Sequence, residues 1–557
     1  MPTLVNKQTY LESGQKSETK GFSGVSYIDA LLNRGVEEGR PPDGVPIKWA
    51  SDPYLTEEGS DGSITTISYS FPRADGSSAP YSYPDDVGEI TPIAFSVKQQ
   101  EDIRAALTEI EKYINVKFVE VIEDKESVGT IRFAMNTITD EAGNYREGIA
   151  ATADPISLEP RGGDVWFNKW FVLGDFSSGL VRKWEGGSET PGSQTGIGDV
   201  TILYHEIFHS LGIEHPNDNP DKPFPAEINF REYSLMAGEF SVDAGSEIEI
   251  DYIGYAIAST PMAYEIAALQ YLYGANLQHN SGDTIYTFDP NTPEIKLIWD
   301  GAGTDTLNFS NFSGSSTINL NGGSYSTVPF NGWSLKDNIS IAFDAVIENV
   351  ITGSGADVIV GNSSNNVITG GLGGDTIDGG SGIDQAVYTE NFTDVSLVKS
   401  ETVWNITSGA DKDTLSNIER LKFNDKHIAL DLDGNAGKTV KLLGLLLGKD
   451  QATNKTYVGA GIKLLDDGMT YEQLMQAALD VVLGANASSL SVVNMIWENL
   501  IGPPTPADNI SQYSALIDNG TYTSAGLAIV AADHSLNTTA IDLVGLASTG
   551  VEFDLYI

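Results

Sequence analysis

Three histidines and a glutamate stand close together in one stretch of the sequence, HEIFHSLGIEH, which runs from His205 to His215. His205 and His209 are four residues apart, so on a helix both imidazoles leave one face, one turn apart. Glu206 is offset by about 100° and can reach over the same point without ligating it. Gly212 can adopt a positive φ and end the helix, after which His215 can supply a third nitrogen from another direction.

Three neutral imidazoles with one open position form a catalytic zinc arrangement, and the adjacent glutamate can take a proton from a water at the metal. A bare His-Glu-x-x-His pair is also compatible with two surface histidines on a helix. The glycine and the third histidine follow at fixed offsets, and three of the chain's 6 histidines lie here, which favours the metal site. The sequence therefore predicts one zinc ion on His205, His209 and His215, with Glu206 as the catalytic base.

Composition limits the class of protein. The 557 residues are enough for several domains, and 32 basic against 77 acidic residues give a net charge of −45 and a pI near 4.2. This balance argues against nucleic acid and anionic membranes as partners. The carboxylates serve solubility, divalent-cation binding, or both. The absence of cysteine fits the cytosol, and it fits equally the export of an unfolded chain that later folds around metal.

The beginning of the chain is polar and irregular, and residues 1–20 are predicted to be a leader or short propeptide. They lack the basic and apolar segments of a Sec-type signal peptide. No apolar run approaches the ~18 residues that span a bilayer, so no membrane span is predicted.

The elements around the histidine motif follow a compact α/β pattern. Residues 98–115 have the spacing of an amphipathic helix, with Ile103, Leu107 and Ile114 among the residues on one face. Strand-like segments lie at 63–72, 116–121, 130–136, 148–155 and 162–168. The last two are either ordinary sheet strands or strands beside a cleft, where an extended peptide could be bound.

Four consecutive nonapeptides follow, at 352–360, 361–369, 370–378 and 379–387. Their Gly-Gly-x-Gly-x-Asp-x-apolar-x pattern indicates a calcium-binding parallel β-roll, and four registers in a row argue against a disordered Gly-rich linker. The glycines permit a turn with inward carbonyls, and the aspartate closes a calcium cage. The predicted ligands are Gly353, Gly355, Asp357, Asn362, Ser364, Asn366, Gly370, Gly371, Gly373, Asp375, Gly379, Gly380, Gly382 and Asp384.

Like turns of such a roll stack two repeats apart. Asp357 is therefore predicted to share ions with Asp375, and Asn366 with Asp384. Because an asparagine stands where the pattern has aspartate, the site at Asn366 is predicted to be the weaker one.

The histidine motif, followed by Met236 in a predicted tight turn, resembles the metzincin metalloproteases. More closely, residues 21–390 are similar to the serralysins, which are bacterial secreted zinc endopeptidases. The similarity extends over PMAYEIAALQYLYGAN, SGDTIYTF, IWDGAGTDTLNFS and IENVITGSGADVIVGN. It implies a monomeric, secreted zymogen of a zinc protease that cleaves proteins and peptides, with Met236 as an apolar floor beneath the metal.

The resemblance also implies further calcium ligands and shows one departure. An upstream calcium site would use Asn280, Gly282, Thr284, Asp300, Ala302, Gly303 and Asp305, and Glu348 would be a ligand just before the first repeat. The family has a tyrosine two residues after the turn methionine, as an extra displaceable zinc ligand. That position is Gly238 here, and Tyr233 precedes the methionine and cannot replace the tyrosine by register.

The last part of the chain changes pattern twice. Residues 388–430 alternate and are predicted to be strands that close the roll. From 435 the pattern is helical: a capping box of Thr470 and Gln473 begins one helix that ends at Gly484, and Thr505 is predicted to cap a later one. The segment GVEFDLYI resembles the uncleaved signal of a type I secretion exporter.

The predicted fold class is therefore α+β and multidomain. It has a metzincin-type α/β zinc protease domain, a parallel β-roll with calcium-binding repeats, and a C-terminal all-α domain. The predicted bounds are 1–20 for the leader, 21–275 for the catalytic domain, 276–434 for the roll with its closing strands, and 435–557 for the helical domain. A calcium-dependent surface or adhesion protein with a weakly active protease-like domain is the alternative function.

Overall fold

The structure is a computed structural model, and it divides the chain into two compact units. The first comprises Met1–Thr284, Pro290–Asp305 and Gly322–Ile347, and the second comprises Ile285–Asp289, Thr306–Asn321 and Glu348–Ile557. The residues described are 17–19, 23–32, 47–49, 64–77, 81–82, 89–90, 92–124, 128–136, 151–154, 156, 162–168, 200–216, 224–229, 233–237, 258–505 and 508–555. The four predicted domain bounds stay predictions.

The described helices are numbered in chain order. They are α1 Ser26–Leu31, α2 Val97–Glu111, α3 Val200–Ser210, α4 Ala263–Tyr273, α5 Asn435–Leu447, α6 Lys455–Asp466, α7 Tyr471–Leu483, α8 Ser489–Leu500, α9 Ile510–Asp518, α10 Ser524–Ala532, α11 Ser535–Ala540 and α12 Leu543–Thr549. Short 3₁₀ helices lie at Ala226–Ile228, Phe392–Asp394 and Lys449–Gln451.

The described strands are numbered in the same way. They are β1 Ser17–Thr19, β2 Ile47–Trp49, β3 Thr65–Ser70, β4 Tyr81–Ser82, β5 Glu89–Ile90, β6 Val116–Glu120, β7 Ile131–Asn136, β8 Ala151–Ala153, β9 Val165–Asn168, β10 Ile285–Thr287, β11 Lys296–Ile298, β12 Thr306–Asn308, β13 Thr317–Asn319, β14 Tyr325–Ser326, β15 Ile339–Ile341, β16 Asn349–Ile351, β17 Val358–Val360, β18 Val367–Thr369, β19 Thr376–Asp378, β20 Gln385–Val387, β21 Ser396–Ser400, β22 Val403–Ser408, β23 Asp411–Ser416, β24 Arg420–Lys422, β25 His427–Ala429 and β26 Val551–Phe553.

In the first unit, a five-stranded mixed sheet has the order β6-β3-β7-β9-β8, parallel except for β8. Helix α2 begins at a capping box of Ser96 and Gln99 and buries Ile103 and Leu107, as its periodicity predicts. Ile114 is also buried, but it lies beyond the end of the helix, in a bridge with Ala275. The predicted strand segments each contain a strand. Since β8 is last in this order, the peptide-binding interpretation of 148–155 stays open.

In the second unit, two sheets of short strands build the roll. One has the order β10-β12-β16-β18-β20-β24-β25-β26 and the other β13-β17-β19-β23-β22-β21. The pairs are parallel through β24 in the first sheet and through β23 in the second, and antiparallel beyond. The middle residue of each repeat strand is fully buried, as at Ile359, Ile368 and Ile377. Side chains alternate between the two faces of a strand, so in these three-residue strands only the middle side chain points into the roll.

The helical region packs around a continuous apolar core that includes Val440, Leu445 and Met475. The Thr470 capping box is present, and the helix it begins ends before Gly484, whose φ is +86°. The prediction for Thr505 is wrong. Helix α9 begins at Ile510, because Asp508 binds the main-chain N–H and the hydroxyl of Thr505 in a turn of its own.

One strand interrupts the helical character of the region. After α12 the chain forms β26, which pairs with β25 in the register Val551 to Ala429 and Phe553 to His427. Among the described residues, no helix has both the length and the apolar character needed to cross a membrane. The mixed α/β character, the parallel sheets and the helical region agree with the prediction, and the metzincin-type fold of the first unit stays a prediction.

Candidate metal centre and carboxylate ladders

The three histidines of the motif converge on one point in the first unit. The distance between Nε2 atoms is 3.1 Å for His205 and His215, 3.1 Å for His205 and His209, and 3.2 Å for His209 and His215. A tetrahedral zinc ion with nitrogen ligands at about 2.0–2.1 Å holds those nitrogens about 3.3–3.4 Å apart. The spacing therefore fits three ligands of one zinc ion.

Main-chain carbonyls set the tautomer of two of these imidazoles. Nδ1 of His205 lies 2.8 Å from the Leu235 carbonyl oxygen, and Nδ1 of His209 lies 2.8 Å from the Ile213 carbonyl oxygen. A carbonyl only accepts, so each Nδ1 carries the proton and each Nε2 keeps a lone pair for a metal. Burial, with the neighbouring His205 and His215, holds the pKa of His209 well below its usual value, and so keeps this imidazole neutral.

The end of α3 is fastened by two buried aromatic side chains. The helix ends at Ser210, and Gly212 has the predicted positive φ, +100°. The Trp49 indole N–H donates to the Ser210 carbonyl at 2.7 Å, and the Tyr273 hydroxyl donates to the Leu211 carbonyl at 2.9 Å. These bonds satisfy carbonyls that a helix end leaves without partners. They also fix the point from which the chain turns back to His215.

The segment that carries His215 is held against the end of α1. Ile213 forms an antiparallel bridge with Leu32, and the Glu214 N–H donates to the Leu31 carbonyl at 2.9 Å. The third imidazole therefore approaches from outside the helix and from another direction, as the sequence predicts.

Glu206 is 6% exposed and lies beside the histidines on α3. Burial raises its pKa to about 8, and its buried Oε2 has no hydrogen-bond partner. A cation at the histidines would favour the carboxylate form and lower this pKa. A buried glutamate in that position fits a proton acceptor beside a metal.

Met236 is fully buried, in a turn where the Ala237 N–H donates to the Ser234 carbonyl at 3.0 Å. The same turn supplies the Leu235 carbonyl to His205, a contact that no side-chain pattern announces. Gly238 lies outside the described residues. The Tyr233 hydroxyl donates to Asp337 at 2.6 Å, so this tyrosine is engaged within the first unit.

Two upstream loops of the first unit come together at the predicted calcium residues. Asp305 Oδ1 accepts from the Thr284 N–H at 2.8 Å, and Asp300 Oδ1 accepts from the Ala302 N–H at 3.1 Å. A Cβ placed on Gly303 would lie 2.8 Å from the Gly282 carbonyl oxygen and 2.9 Å from Asp305 Oδ1. Asn280 stands in a left-handed conformation, with φ +47°. The carbonyl and the carboxylate face one cradle that only glycine leaves open.

In the second unit, like turns of the repeats stack two repeats apart, as predicted. The Asp357 N–H donates to Asp375 Oδ1 at 2.8 Å, and the Asn366 N–H donates to Asp384 Oδ1 at 2.7 Å. Each of these turn glycines lies close to a main-chain oxygen of the turn below. A Cβ added to the glycine would lie 1.9 to 2.7 Å from that oxygen. The pairs are Gly371 on Gly353, Gly373 on Gly355, Gly380 on Asn362 and Gly382 on Ser364. Gly370 and Gly379 similarly face the carboxylates of Asp375 and Asp384.

The aspartates of these stacks form what we call the carboxylate ladders: Asp357, Asp375 and Asp384. The Oδ2 atom of each is buried without a hydrogen-bond partner. Burial, then the charges of neighbouring carboxylates, raises the pKa of Asp375 and of Asp384 to about 7. Buried oxygens with no donor and mutual repulsion fit a hard cation such as calcium.

Asn366 differs from these aspartates in having its polar atoms engaged. Its Nδ2 donates to the Glu348 carbonyl at 2.8 Å and to Asn362 Oδ1 at 3.0 Å, and its Oδ1 accepts from the Asn362 N–H at 2.8 Å. The amide thus holds this turn together by hydrogen bonds. The weaker ion site at Asn366 stays a prediction.

Two residues continue the ladders beyond the repeats and were missed from the sequence. Asp413 Oδ1 accepts from the Asp375 N–H at 2.9 Å, and Glu419 Oε2 accepts from the Asp384 N–H at 2.9 Å. They carry no Gly-Gly-x-Gly turn. The available signal was an acid at or just before a closing strand, in β23 and before β24.

The first unit thus holds three histidines that converge on one point beside a buried glutamate, which is a candidate metal centre, and the second unit holds a parallel β-roll of repeats with carboxylate ladders. Residues 272–443 match the family model described as Peptidase M10 serralysin C terminal. The chain is 29% identical over 328 residues to a serralysin of Proteus mirabilis and 31% identical over 326 residues to serralysin B of Dickeya chrysanthemi. Each alignment covers 55% of this chain and 61% of the relative.

A metallopeptidase AprA of Pseudomonas marginalis is 33% identical over 243 residues, which is 40% of this chain and 47% of that relative. The chain thus spans about three fifths of the length of the first two relatives. These matches confirm the predicted resemblance: the chain is similar to serralysins and includes their repeat region.

Proposed function

We propose that this chain is a secreted zinc endopeptidase of the serralysin type, which hydrolyses peptide bonds of extracellular proteins and needs calcium to fold. The observation that carries the proposal is the convergence of three Nε2 atoms beside buried Glu206. Similarity to serralysins favours this function over the adhesion alternative.

In this proposal His205, His209 and His215 hold one zinc ion. When bound, zinc supplies a Lewis acid that polarises a peptide carbonyl and acidifies a water. Glu206 takes the proton of the attacking water and delivers it to the leaving amine. The carbonyls of Leu235 and Ile213 keep two imidazoles in the orientation that this arrangement needs.

The position of Gly238 bears on the rate of the proposed reaction. Without the tyrosine that the family has there, stabilisation of the oxyanion must come from other groups, or the rate is lower. Removal of one oxyanion donor typically costs about 10²–10³ in rate.

Calcium enters the proposal through the carboxylate ladders, their continuations Asp413 and Glu419, and the cradle at Gly303. Ions that bind only the folded roll stabilise it, so an acidic chain would stay unfolded at low calcium and fold where calcium is abundant. Such a chain suits export through a type I exporter, with GVEFDLYI as the proposed signal and a monomer as the folded product.

Cleavage of casein tests the proposal. The full chain in millimolar calcium should bind one zinc ion, cleave casein and lose cleavage when a zinc chelator is added. Glu206→Gln is the matched control, because it should keep the zinc and lower kcat by about 10²–10⁴. A protein that binds zinc and cleaves no unfolded substrate would contradict the peptidase proposal.

A further inference from the structure

Glu265 is fully buried in the first turn of α4, and one of its oxygens serves two separate segments. Oε1 accepts from the Met262 N–H at 2.7 Å and from the Leu235 N–H at 3.1 Å. The first bond stabilises the start of α4, as an acid at the third helical position commonly does. The second bond reaches the turn that contains Met236, so Glu265 also holds a segment outside its own helix.

Leu235 connects that bond to the histidine centre. Its N–H is held by Glu265, and its carbonyl accepts from His205 Nδ1 at 2.8 Å. The Leu235 side chain is 3% exposed, and Ser234 and Met236 on either side are fully buried. The carbonyl that orients His205 therefore belongs to a residue whose other polar group is fixed by a buried carboxylate.

We infer that Glu265 is a positioning residue for His205, and that it acts through the main chain of Leu235. Its oxygen sets the place of the Leu235 carbonyl, and the carbonyl sets the tautomer and the ring direction of the imidazole. Outer groups that orient a metal-binding histidine typically change metal affinity about 10–100-fold when removed. The inference rests on the proposed zinc site, and it predicts zinc affinity separately from peptidase activity.

Gln270 offers a matched control on the same helix. It is 8% exposed, and its Nε2 donates to the Tyr113 carbonyl at 3.0 Å, away from the Met236 turn. Gln270→Leu removes a buried hydrogen bond from α4 without touching Leu235. A loss of helix stability alone would therefore affect the variants at both positions.

The experiment measures the zinc dissociation constant of the full chain in calcium, by competition with a chromophoric chelator. Glu265→Leu removes the acceptor, and Glu265→Asp keeps the charge but withdraws the oxygen. Both are expected to raise the dissociation constant about 10-fold. Glu265→Gln keeps an oxygen in place and should stay near the wild-type value, as should Gln270→Leu even where its melting temperature falls.

Hydrogen exchange of the Leu235 amide gives a local readout without zinc. The amide should be protected in wild type and Glu265→Gln and exchange faster in Glu265→Asp, which decides the matter if Glu265→Leu does not fold. If Glu265→Asp kept the wild-type zinc affinity and the wild-type protection of the Leu235 amide, the inference about Glu265 would be overturned and the proposed zinc site would stand. A wild-type chain that folds and binds no zinc would instead overturn the proposed zinc site.

Discussion

The histidine centre and the carboxylate ladders, which are the proposed zinc and calcium sites, differ in how their polar atoms are satisfied. At the centre, Nδ1 atoms already donate to main-chain carbonyls, and His209 is kept neutral by burial. In the ladders, three aspartate oxygens are buried without donors, and the pKa of Asp375 and Asp384 is raised to about 7.

The difference predicts that the histidine centre is arranged before a metal binds, whereas the carboxylate ladders need a cation to be stable. Main-chain carbonyls satisfy the outer nitrogens of His205 and His209, so the orientation of these two rings is set by the protein. The ladder carboxylates repel one another in a poorly solvated place, and a divalent cation is the partner that removes this cost. Zinc is thus expected to matter mainly for chemistry and calcium mainly for folding.

The largest expected effect is the response to removal of each metal. A calcium chelator should unfold the roll, because the buried carboxylates lose their counter-charge, whereas removal of zinc in the presence of calcium should change the melting temperature by only a few degrees. Circular-dichroism melts of the full chain under both conditions measure this contrast. An unchanged melting curve in excess calcium chelator would contradict this contrast between the two metals.

Substitutions that add a charge at Asn366, or remove one from the carboxylate ladders at Asp375, should give the next largest effect. Asn366→Asp introduces a carboxylate and removes the amide bonds to Glu348 and Asn362. It should destabilise the calcium-free roll by about 1–3 kcal/mol and strengthen calcium binding roughly tenfold. Asp375→Asn should do the reverse. Calcium titrations followed by fluorescence report both variants, and equal midpoints for the two would show that the amide and the carboxylate are equivalent here.

The pH dependence of the calcium-free chain sharpens the comparison further. Asp375 and Asp384 have a folded-state pKa of about 7, above the value of about 3.9 for an unfolded aspartate. The folded roll therefore binds more protons than the unfolded chain, and its stability should fall as pH rises from about 4 through 7. Urea melts of the calcium-free chain at pH 5 and pH 8 measure whether its stability falls or rises with pH. Asp384→Asn should flatten the slope, and a calcium-free roll that is more stable at pH 8 would contradict the assignment.

The smallest expected effect on calcium binding concerns the histidine side. Trp49→Phe removes the indole donor to the Ser210 carbonyl and should destabilise the first unit by about 1–3 kcal/mol, since a buried acceptor loses its bond. The midpoint of a calcium titration should not move. Trp404→Phe is the control, because it makes the same substitution at a buried tryptophan in β22 of the second unit. A calcium midpoint that shifts with Trp49 would show that the two regions are coupled.

Local spacing accounts for what the sequence predicted well. The four-residue offset of His205 and His209, the left-handed Gly212 and the two-repeat stacking of Asp357 on Asp375 all depend on residue types at fixed distances along the chain. Helix α2 and the capping box at Thr470 follow from the same kind of pattern.

Groups without a side-chain signature account for what was missed. The carbonyls of Leu235 and Ile213 are common to all residues, so only the fold shows which ones orient the imidazoles. Asp413 and Glu419 lie outside the glycine repeat, and their place depends on strand pairing. Thr505 resembles a helix cap locally, but its hydroxyl donates to Asp508, and the helix begins at Ile510.

The pairing of β26 with β25 has a consequence for the order of folding. The two strands are about 120 residues apart along the chain, and the helices α5 to α12 lie between them. Contacts of such long range form slowly, because a large loop must close first. Until β26 arrives, β25 presents an unpaired edge that can recruit another chain. Lys426, which directly precedes β25 and forms an ion pair with Glu552 in the closed state, then places a positive charge beside that edge and makes association of two open chains less favourable.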